Sequence, residues 1–164
     1  MTRRMLIDLH PRRENARRAT EAVCAELGAN DIVPVMSLSA HDVLTSYGDA
    51  RPNGIDVVDD GHLLEAAEDC ELIIVLGGDG TILRAAERFR SLEVPVVGIN
   101  LGHVGFLAES ESADLDETVR RLVARDYDIE QRMALDITVR LEGQIIHRAW
   151  ALNEATVEKG PGTQ

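Results

Sequence analysis

Up to about residue 130, short runs of consecutive hydrophobic residues alternate with segments in which hydrophobic residues recur every three or four positions. The clearest run is residues 72–76, five consecutive aliphatic residues, which predicts a strand buried on both faces, as in parallel sheets. Similar runs predict strands at 5–9, 32–36 and 94–99. The alternation predicts an N-terminal layered α/β domain with a mainly parallel sheet and right-handed crossovers. Between the runs, apolar residues recur at helical spacing: Ala16, Ala19, Val23 and Leu27; Leu63, Leu64, Ala66 and Ala67; Ile82, Ala85, Ala86 and Phe89; Leu115, Val119 and Leu122.

Two stretches interrupt this pattern. Pro34 lies inside the 32–36 run, and because proline has no N–H to donate to a neighbouring strand, it predicts an edge strand. Residues 39–60 are mixed in polarity and rich in turn-forming residues, so their pattern favours no regular element.

The periodicity changes after Arg132. Residues 135–141 alternate between apolar and polar, Glu142 and Gly143 interrupt them, and a second run follows at 145–150. This pattern predicts an antiparallel, half-exposed hairpin, which is marginally stable alone. We therefore expect a domain boundary near residue 134, with the α/β domain at 1–134 and the beginning of an incomplete β-rich domain at 135–164.

Composition excludes several classes of function. Among 164 residues, 17 basic and 29 acidic side chains give a net charge of −12, which disfavours binding to nucleic acids or anionic membranes. Lys159 is the only lysine and follows no glycine-rich turn, which excludes Walker-type NTPases and protein kinases. Cys24 and Cys70 offer neither metal spacing nor a disulfide framework, as is typical of cytoplasmic proteins. The sequence also predicts neither a membrane span nor a signal peptide.

Residues 77–80, Gly-Gly-Asp-Gly, connect the most apolar predicted strand to a predicted helix. Glycines let backbone N–H groups approach phosphate oxygens, and a helix N-terminus carries partial positive charge, so this turn predicts a phosphate site. Arg84, one helical turn further on, could add a cationic contact. A dinucleotide fingerprint would have a third glycine where this chain has Leu83.

Asp79 is unusual in such a turn, because a carboxylate repels phosphates unless a divalent cation or a reacting hydroxyl lies between them. A general base that accepts the proton of an attacking alcohol meets this condition and contributes about 10²–10⁴ in rate. The spacing fits equally well a simpler role, in which Asp79 caps the following helix and the glycines only shape the turn.

Three stretches in this order resemble the NAD kinase family: Leu-Gly-Gly-Asp-Gly-Thr at 76–81, Gly-Ile-Asn-Leu-Gly-His-Val-Gly-Phe-Leu at 98–107 and Leu-Asn-Glu at 152–154. The first is shared with diacylglycerol-type lipid kinases and, loosely, with phosphofructokinases, whereas the other two narrow the match to NAD kinases. The arginine-rich, lysine-poor composition is similar to actinobacterial members. The family continues into a β-rich domain with a Thr-Pro-Thr-Gly-Ser-Thr-like segment, so we expect this chain to be the truncated N-terminal part.

The resemblance implies transfer of a phosphoryl group from ATP, or from polyphosphate, to the 2′-hydroxyl of the adenosine ribose of NAD, with Mg²⁺ bridging the donor's oxygens. Asp79 would accept the hydroxyl proton, and Gly77 and Gly78 would leave room for the donor. No side chain is assigned as a metal ligand. Further residues would contact NAD: Gly80, Arg84, Phe106 against the adenine, Asn153 and Glu154. From the pattern alone, Phe106 also fits a core position, and residues 153–154 a solvated strand edge.

Two alternatives remain open. One is a non-catalytic nucleotide-binding fragment, and the other is a lipid kinase domain of the same superfamily, which would be expected to show an apolar acyl groove or a membrane-facing patch. The expected partners are the small molecules NAD and ATP rather than nucleic acid or a membrane. Full-length members of the family tend to form homo-oligomers through the domain that is absent here.

Overall fold

A six-stranded parallel sheet forms the centre of the larger of two units. The computed structural model describes residues 2–9, 14–45, 54–101, 110–111, 115–152 and 154–156, and the chain divides into Met1–Tyr127 and Asp128–Gln164. The strand order is β3-β2-β1-β4-β5-β6, with every neighbouring pair parallel. The strands are β1 (Arg3–Leu9), β2 (Ile32–Ser37), β3 (Asp56–Val58), β4 (Leu72–Gly77), β5 (Val96–Asn100) and β6 (Ser110–Glu111).

Helices cover both faces of this sheet. Side chains of α1, α2 and α5 join the core on one face, and those of α3 and α4 join the core on the other. This arrangement confirms the predicted layered α/β fold. In the part of the chain that the structure describes, no helix is both long and apolar enough to span a bilayer. The helices are α1 (Glu14–Ala29), α2 (Leu38–Thr45), α3 (Leu63–Glu68), preceded by a 3-10 turn at Asp60–His62, α4 (Asp79–Phe89) and α5 (Leu115–Ala124).

Strand β4 lies between two hydrophobic cores. Leu72, Ile74 and Leu76 pack with residues of α1 and α5, whereas Ile73 and Val75 pack with residues of α3 and α4. All five side chains are at most 2% exposed, and each contributes about 1.5–3 kcal/mol through burial. The predicted burial on both faces is confirmed, and it holds the carboxyl end of β4 in a fixed place.

The prediction of an edge strand at 32–36 is wrong. Strand β2 pairs with β1 on one side and with β3 on the other. However, β3 is only three residues long, and its register begins opposite Val35. Pro34 therefore has a register partner, Met5, on the β1 side only, so the missing N–H does not interrupt the pairing with β3.

The turn-rich stretch 39–60 contains regular structure that the pattern did not predict. Helix α2 occupies eight residues with one fully buried side chain, Leu44, and β3 has a half-exposed pattern. Strand β6, of two residues, was also not predicted. Strands β3 and β6 are too short for a hydrophobic period to develop, and they are defined by pairing with β2 and β5. Helix α2 has only Leu44 as a buried residue, so the sequence shows no apolar period there.

The smaller unit contains the predicted antiparallel hairpin, with β7 (Ala134–Leu141) paired to β8 (Gln144–Leu152). Glu142 and Gly143 both have positive φ, at 50° and 83°, as the twist-matched two-residue hairpin turn requires. The apolar side chains are more exposed than expected, with Leu141 at 62% and Ile146 at 59%. The assignment of a domain to residues 135–164 stays a prediction.

Glu71, just before β4, ties together distant parts of the larger unit. Its carboxylate accepts two hydrogen bonds from Arg3, at 2.9 and 2.8 Å, and two from Arg125, at 3.0 and 2.6 Å. Arg3 also donates to the carbonyl oxygen of Val123 at the end of α5, at 2.7 Å. Hydrogen bonds from Arg125 and Arg3 lower the pKa of Glu71 to about 2. The cluster thus fixes the end of α5 to the start of β1.

We expect Glu71→Gln to lower the free energy of unfolding by about 1–2 kcal/mol, because the amide keeps an acceptor but loses the charge that both arginines contact. The pKa of Glu71 is lower in the folded chain than its ordinary value of 4.5. The contribution of the ionised Glu71 to the free energy of unfolding is therefore complete above about pH 4.5 and is lost as the pH falls towards about 2. Urea unfolding of both proteins over this range measures the difference.

The matched control for this prediction is Glu117→Gln. Glu117 pairs with Arg120 at 2.8 Å, but both side chains are more than half exposed, at 59% and 63%, so little stability should depend on the pair. A loss for Glu71→Gln no larger than that of the control, or one that persists unchanged at low pH, would contradict the role given to Glu71.

Candidate active site

The strand order reverses between β1 and β4, and the Gly-Gly-Asp-Gly turn lies beside that point. Strands β2 and β3 extend the sheet to one side of β1, whereas β5 and β6 extend it to the other side of β4. Leu9 of β1 pairs in register with Leu76 of β4, so both strands end at the same edge. In open α/β sheets, ligands bind outside the carboxyl ends of the strands at such a reversal.

The turn itself leads directly from β4 into α4. Gly78 is the N-cap of α4 and is extended, with φ −99° and ψ −177°. Its carbonyl oxygen accepts from the N–H groups of Thr81 and Ile82, at 2.8 and 3.1 Å. Asp79 is therefore the first residue of the helix, and the N-cap position that the simpler role gave to Asp79 belongs to Gly78. A half-buried carboxylate in the first helical turn also interacts favourably with the helix dipole.

The three glycines of the turn have different surroundings. A Cβ atom on Gly77 would lie 2.5 Å from Oγ1 and 2.6 Å from Cβ of Thr81, so the close approach of α4 to β4 requires glycine there. At Gly78 and Gly80 an added Cβ would meet no heavy atom of the described residues within 4 Å, apart from its chain neighbours and the backbone of its own helix. Gly77 thus serves packing, whereas Gly78 and Gly80 border open space into which another molecule could fit.

Two arginines of α4 lie near a carboxylate at the end of β1. Nη1 of Arg88 is 3.3 Å from Oδ1 of Asp8, whose side chain is only 15% exposed. Burial raises the pKa of Asp8 above its ordinary value, and the positive charges of Arg88 and Arg84 only partly offset this. The sequence analysis missed Asp8, although an aspartate inside the apolar run 5–9 is a visible exception to the pattern.

The structure brings five of the predicted site residues to one sheet edge: Gly77, Gly78, Asp79, Gly80 and Arg84. Glu154 belongs to the smaller unit, where its side chain is exposed and its N–H donates to the carbonyl oxygen of Leu152 at 2.9 Å. Phe106 and Asn153 lie outside the described residues. Among the residues that are described, no group of three or more histidine, cysteine or acidic side chains could hold a metal ion.

The strand order and the turn together define a class, namely open α/β domains with a glycine-rich turn at the reversal point of a parallel sheet, the place where such domains bind their ligands. A family model described as "ATP-NAD kinase N-terminal domain" matches residues 9–127. The chain belongs to this family. The match confirms the resemblance found in the sequence and, within the superfamily, favours the NAD kinases over the lipid kinases.

Two relatives agree with this assignment, and a solved structure agrees with the fold. The chain is 46% identical to the NAD kinase of Mycobacterium bovis over 166 residues, covering 97% of this chain and 53% of the relative. It is 47% identical to the NAD kinase of Leifsonia xyli subsp. xyli over 157 residues, covering 96% and 50%. The crystal structure of yeast NADH kinase complexed with NADH matches with a TM-score of 0.72 at 18% identity, covering 91% of this chain and 46% of that one. The chain thus spans about half the length of these relatives.

Proposed function

We propose that this chain is the N-terminal part of an NAD kinase, in which Asp79 accepts the proton of the 2′-hydroxyl of the adenosine ribose of NAD. The observation that carries the proposal is the position of Asp79. It opens α4 at the carboxyl edge of the sheet, next to the strand reversal, and glycines with open surroundings lie on both sides of it. A carboxylate there lies beside the helix N-terminus that would attract phosphate.

In the proposed reaction the 2′-oxygen attacks the γ-phosphorus of ATP while its proton passes to a carboxylate oxygen of Asp79. The bond between the γ-phosphorus and the oxygen of the leaving ADP breaks, and the product is NADP. Backbone N–H groups at the start of α4 would stabilise negative charge on the phosphates, and Arg84 would add a positive charge. Holding the hydroxyl and the donor in line contributes about 7–11 kcal/mol, more than the base itself.

A divalent cation fits this site as a companion of the donor. Mg²⁺ is commonly held by one or two carboxylates together with substrate phosphates, and when bound it neutralises phosphate charge. Asp79 is assigned to the hydroxyl proton, and the described residues contain no cluster of three possible ligands. The ion would therefore be bound together with the phosphates of the donor.

Further parts of the proposal come from the family. Gly80, Arg84, Phe106, Asn153 and Glu154 would contact NAD, and Gly77 and Gly78 would adjoin the donor.

The longer protein would form homo-oligomers, and its location would be the cytoplasm. Support for that location comes from Cys24 and Cys70, which are free thiols, buried at 3% and 7% exposure; burial raises their pKa values to about 12 and about 11 and keeps them unreactive.

Two measurements test the proposal. A protein that continues this chain to the length of its relatives is expected to form NADP from NAD and ATP, in an assay that couples NADP to an NADP-specific dehydrogenase. Calorimetry with NAD and with ATP on the present chain, beside the same assay, separates binding from turnover. If the longer protein forms no NADP with either ATP or polyphosphate as donor, the proposal is overturned. If that protein nevertheless binds nucleotide, the result favours the non-catalytic alternative.

A further inference from the structure

Asp8 is a carboxylate in a place where the sheet otherwise buries apolar side chains. Leu6, two residues earlier and therefore on the same face of β1, belongs to the core formed with Ile82 and Ala85 of α4. Asp8 is opposite Val75 in the register with β4, and its side chain is 15% exposed. The carboxylate thus faces α4 close to the carboxyl edge of the sheet.

Stability alone does not explain this carboxylate. Removing an ionised carboxylate from water costs several kcal/mol, and an ion pair with a half-exposed arginine repays only part of that cost. An aliphatic side chain would fill the same place without the penalty. Burial raises the pKa of Asp8, and the positive charges of Arg88 and Arg84 act in the opposite direction and only partly offset it. We therefore interpret Asp8 by the position of its negative charge rather than by a contribution to folding stability.

The positive charges near Asp8 are carried by two arginines of α4, the helix that begins at the candidate site. Arg84 and Arg88 are four residues apart on α4, so they lie on the same side of the helix and repel each other. The ion pair at 3.3 Å fixes Arg88 against β1, and the same carboxylate attracts Arg84, which lies one turn nearer to Asp79. An exposed arginine otherwise occupies many rotamers, and ordering them lowers affinity for a ligand.

We propose that Asp8 is a positioning residue, which holds the arginine pair of α4 so that the Arg84 guanidinium faces the nucleotide at the Gly77–Gly80 turn. The inference rests on the proposed function, because it assigns the ligand of Arg84 to that reaction. It adds β1, the strand across the reversal point, to the machinery of the site. Asp8 acts on Arg84 and does not itself touch the substrate.

The test compares Asp8→Asn with the unchanged longer protein and with Arg84→Gln. Asparagine keeps the shape and removes the charge, so we expect KM for NAD to rise about three- to tenfold while kcat changes less than twofold. In the Arg84→Gln background, Asp8→Asn should change KM less than twofold, because the residue it positions is gone. Glu117→Gln, which removes a carboxylate paired with Arg120 on α5, is the matched control and should leave KM unchanged.

A second readout is independent of activity. The ¹⁵Nε order parameter of Arg84, measured by NMR relaxation in the same protein, should fall in Asp8→Asn and stay unchanged in Glu117→Gln. An unchanged order parameter, an unchanged KM, or additive effects in the double variant would overturn the role of Asp8. If the order parameter falls but the unchanged protein forms no NADP, the positioning contact stands and the proposed reaction is the part that fails.

Discussion

Asp79→Asn is expected to reduce NADP formation about 10²- to 10⁴-fold in the longer protein while NAD still binds. Asparagine has nearly the same shape as aspartate, but its amide cannot accept a proton from the attacking hydroxyl, so the base contribution is lost. The N-cap of α4 is Gly78, so the substitution does not change the N-cap residue, and losing the interaction of the carboxylate with the helix dipole costs about 0.3–1 kcal/mol. The loss of the base should therefore appear in kcat.

Two controls make this result specific. Calorimetry should give a Kd for NAD within a few-fold of the unchanged protein, because the ribose hydroxyl can still hydrogen-bond to the amide. Asp116→Asn removes a carboxylate from an exposed position in the first turn of α5. It therefore removes the same kind of interaction with a helix dipole, but in a helix other than α4, and should leave kcat unaltered. A variant at position 79 that retains most of its rate would show that Asp79 is not the base.

Gly77→Ala is expected to destabilise the larger unit by about 2–3 kcal/mol, the upper part of the usual range for overpacking. The new Cβ would lie 2.6 Å from Cβ of Thr81, an atom fixed to the helix backbone, so rotation of the Thr81 side chain cannot relieve the clash. Helix α4 must move away from β4 and displace Asp79 with it. Urea unfolding measures the loss of stability, and the NADP assay measures the displacement.

The neighbouring glycines supply the matched controls. Gly78→Ala and Gly80→Ala introduce a Cβ that meets no other part of the described structure within 4 Å, so both should fold with stability within about 0.5–1 kcal/mol of the unchanged protein. Gly98→Ala is intermediate, because its Cβ would lie 2.5 Å from Cδ1 and 2.9 Å from Cγ1 of Ile82, and these side-chain atoms are not fixed to the backbone as Cβ of Thr81 is. Equal destabilisation by all four substitutions would contradict the distinction between packing and open glycines.

Local pattern was sufficient for the elements that have enough residues to show a period. The five aliphatic residues of β4 and the spaced apolar residues of α1 predicted elements that the structure confirms. The turn at Glu142 and Gly143 was likewise predicted from its residues and confirmed by two positive φ angles. In each case the determining interactions lie within about ten residues of the chain, so sequence alone contains them.

Sequence could not supply what depends on which strands become neighbours. The edge prediction for Pro34 failed because β3, three residues long, pairs only beyond the proline. Asp8 became part of the candidate site only because β1 pairs with β4 at the strand reversal. The glycines of the turn are alike in sequence, yet only the packing of Thr81 against β4 gives Gly77 a role different from that of Gly78.

The most direct test is a crystal structure of the longer protein with NAD bound. The account predicts a carboxylate oxygen of Asp79 about 2.6–3.2 Å from the 2′-hydroxyl of the adenosine ribose, the distance over which a base can accept its proton. A 2′-hydroxyl held far from Asp79, with that carboxylate directed at backbone N–H groups of α4 instead, would contradict it.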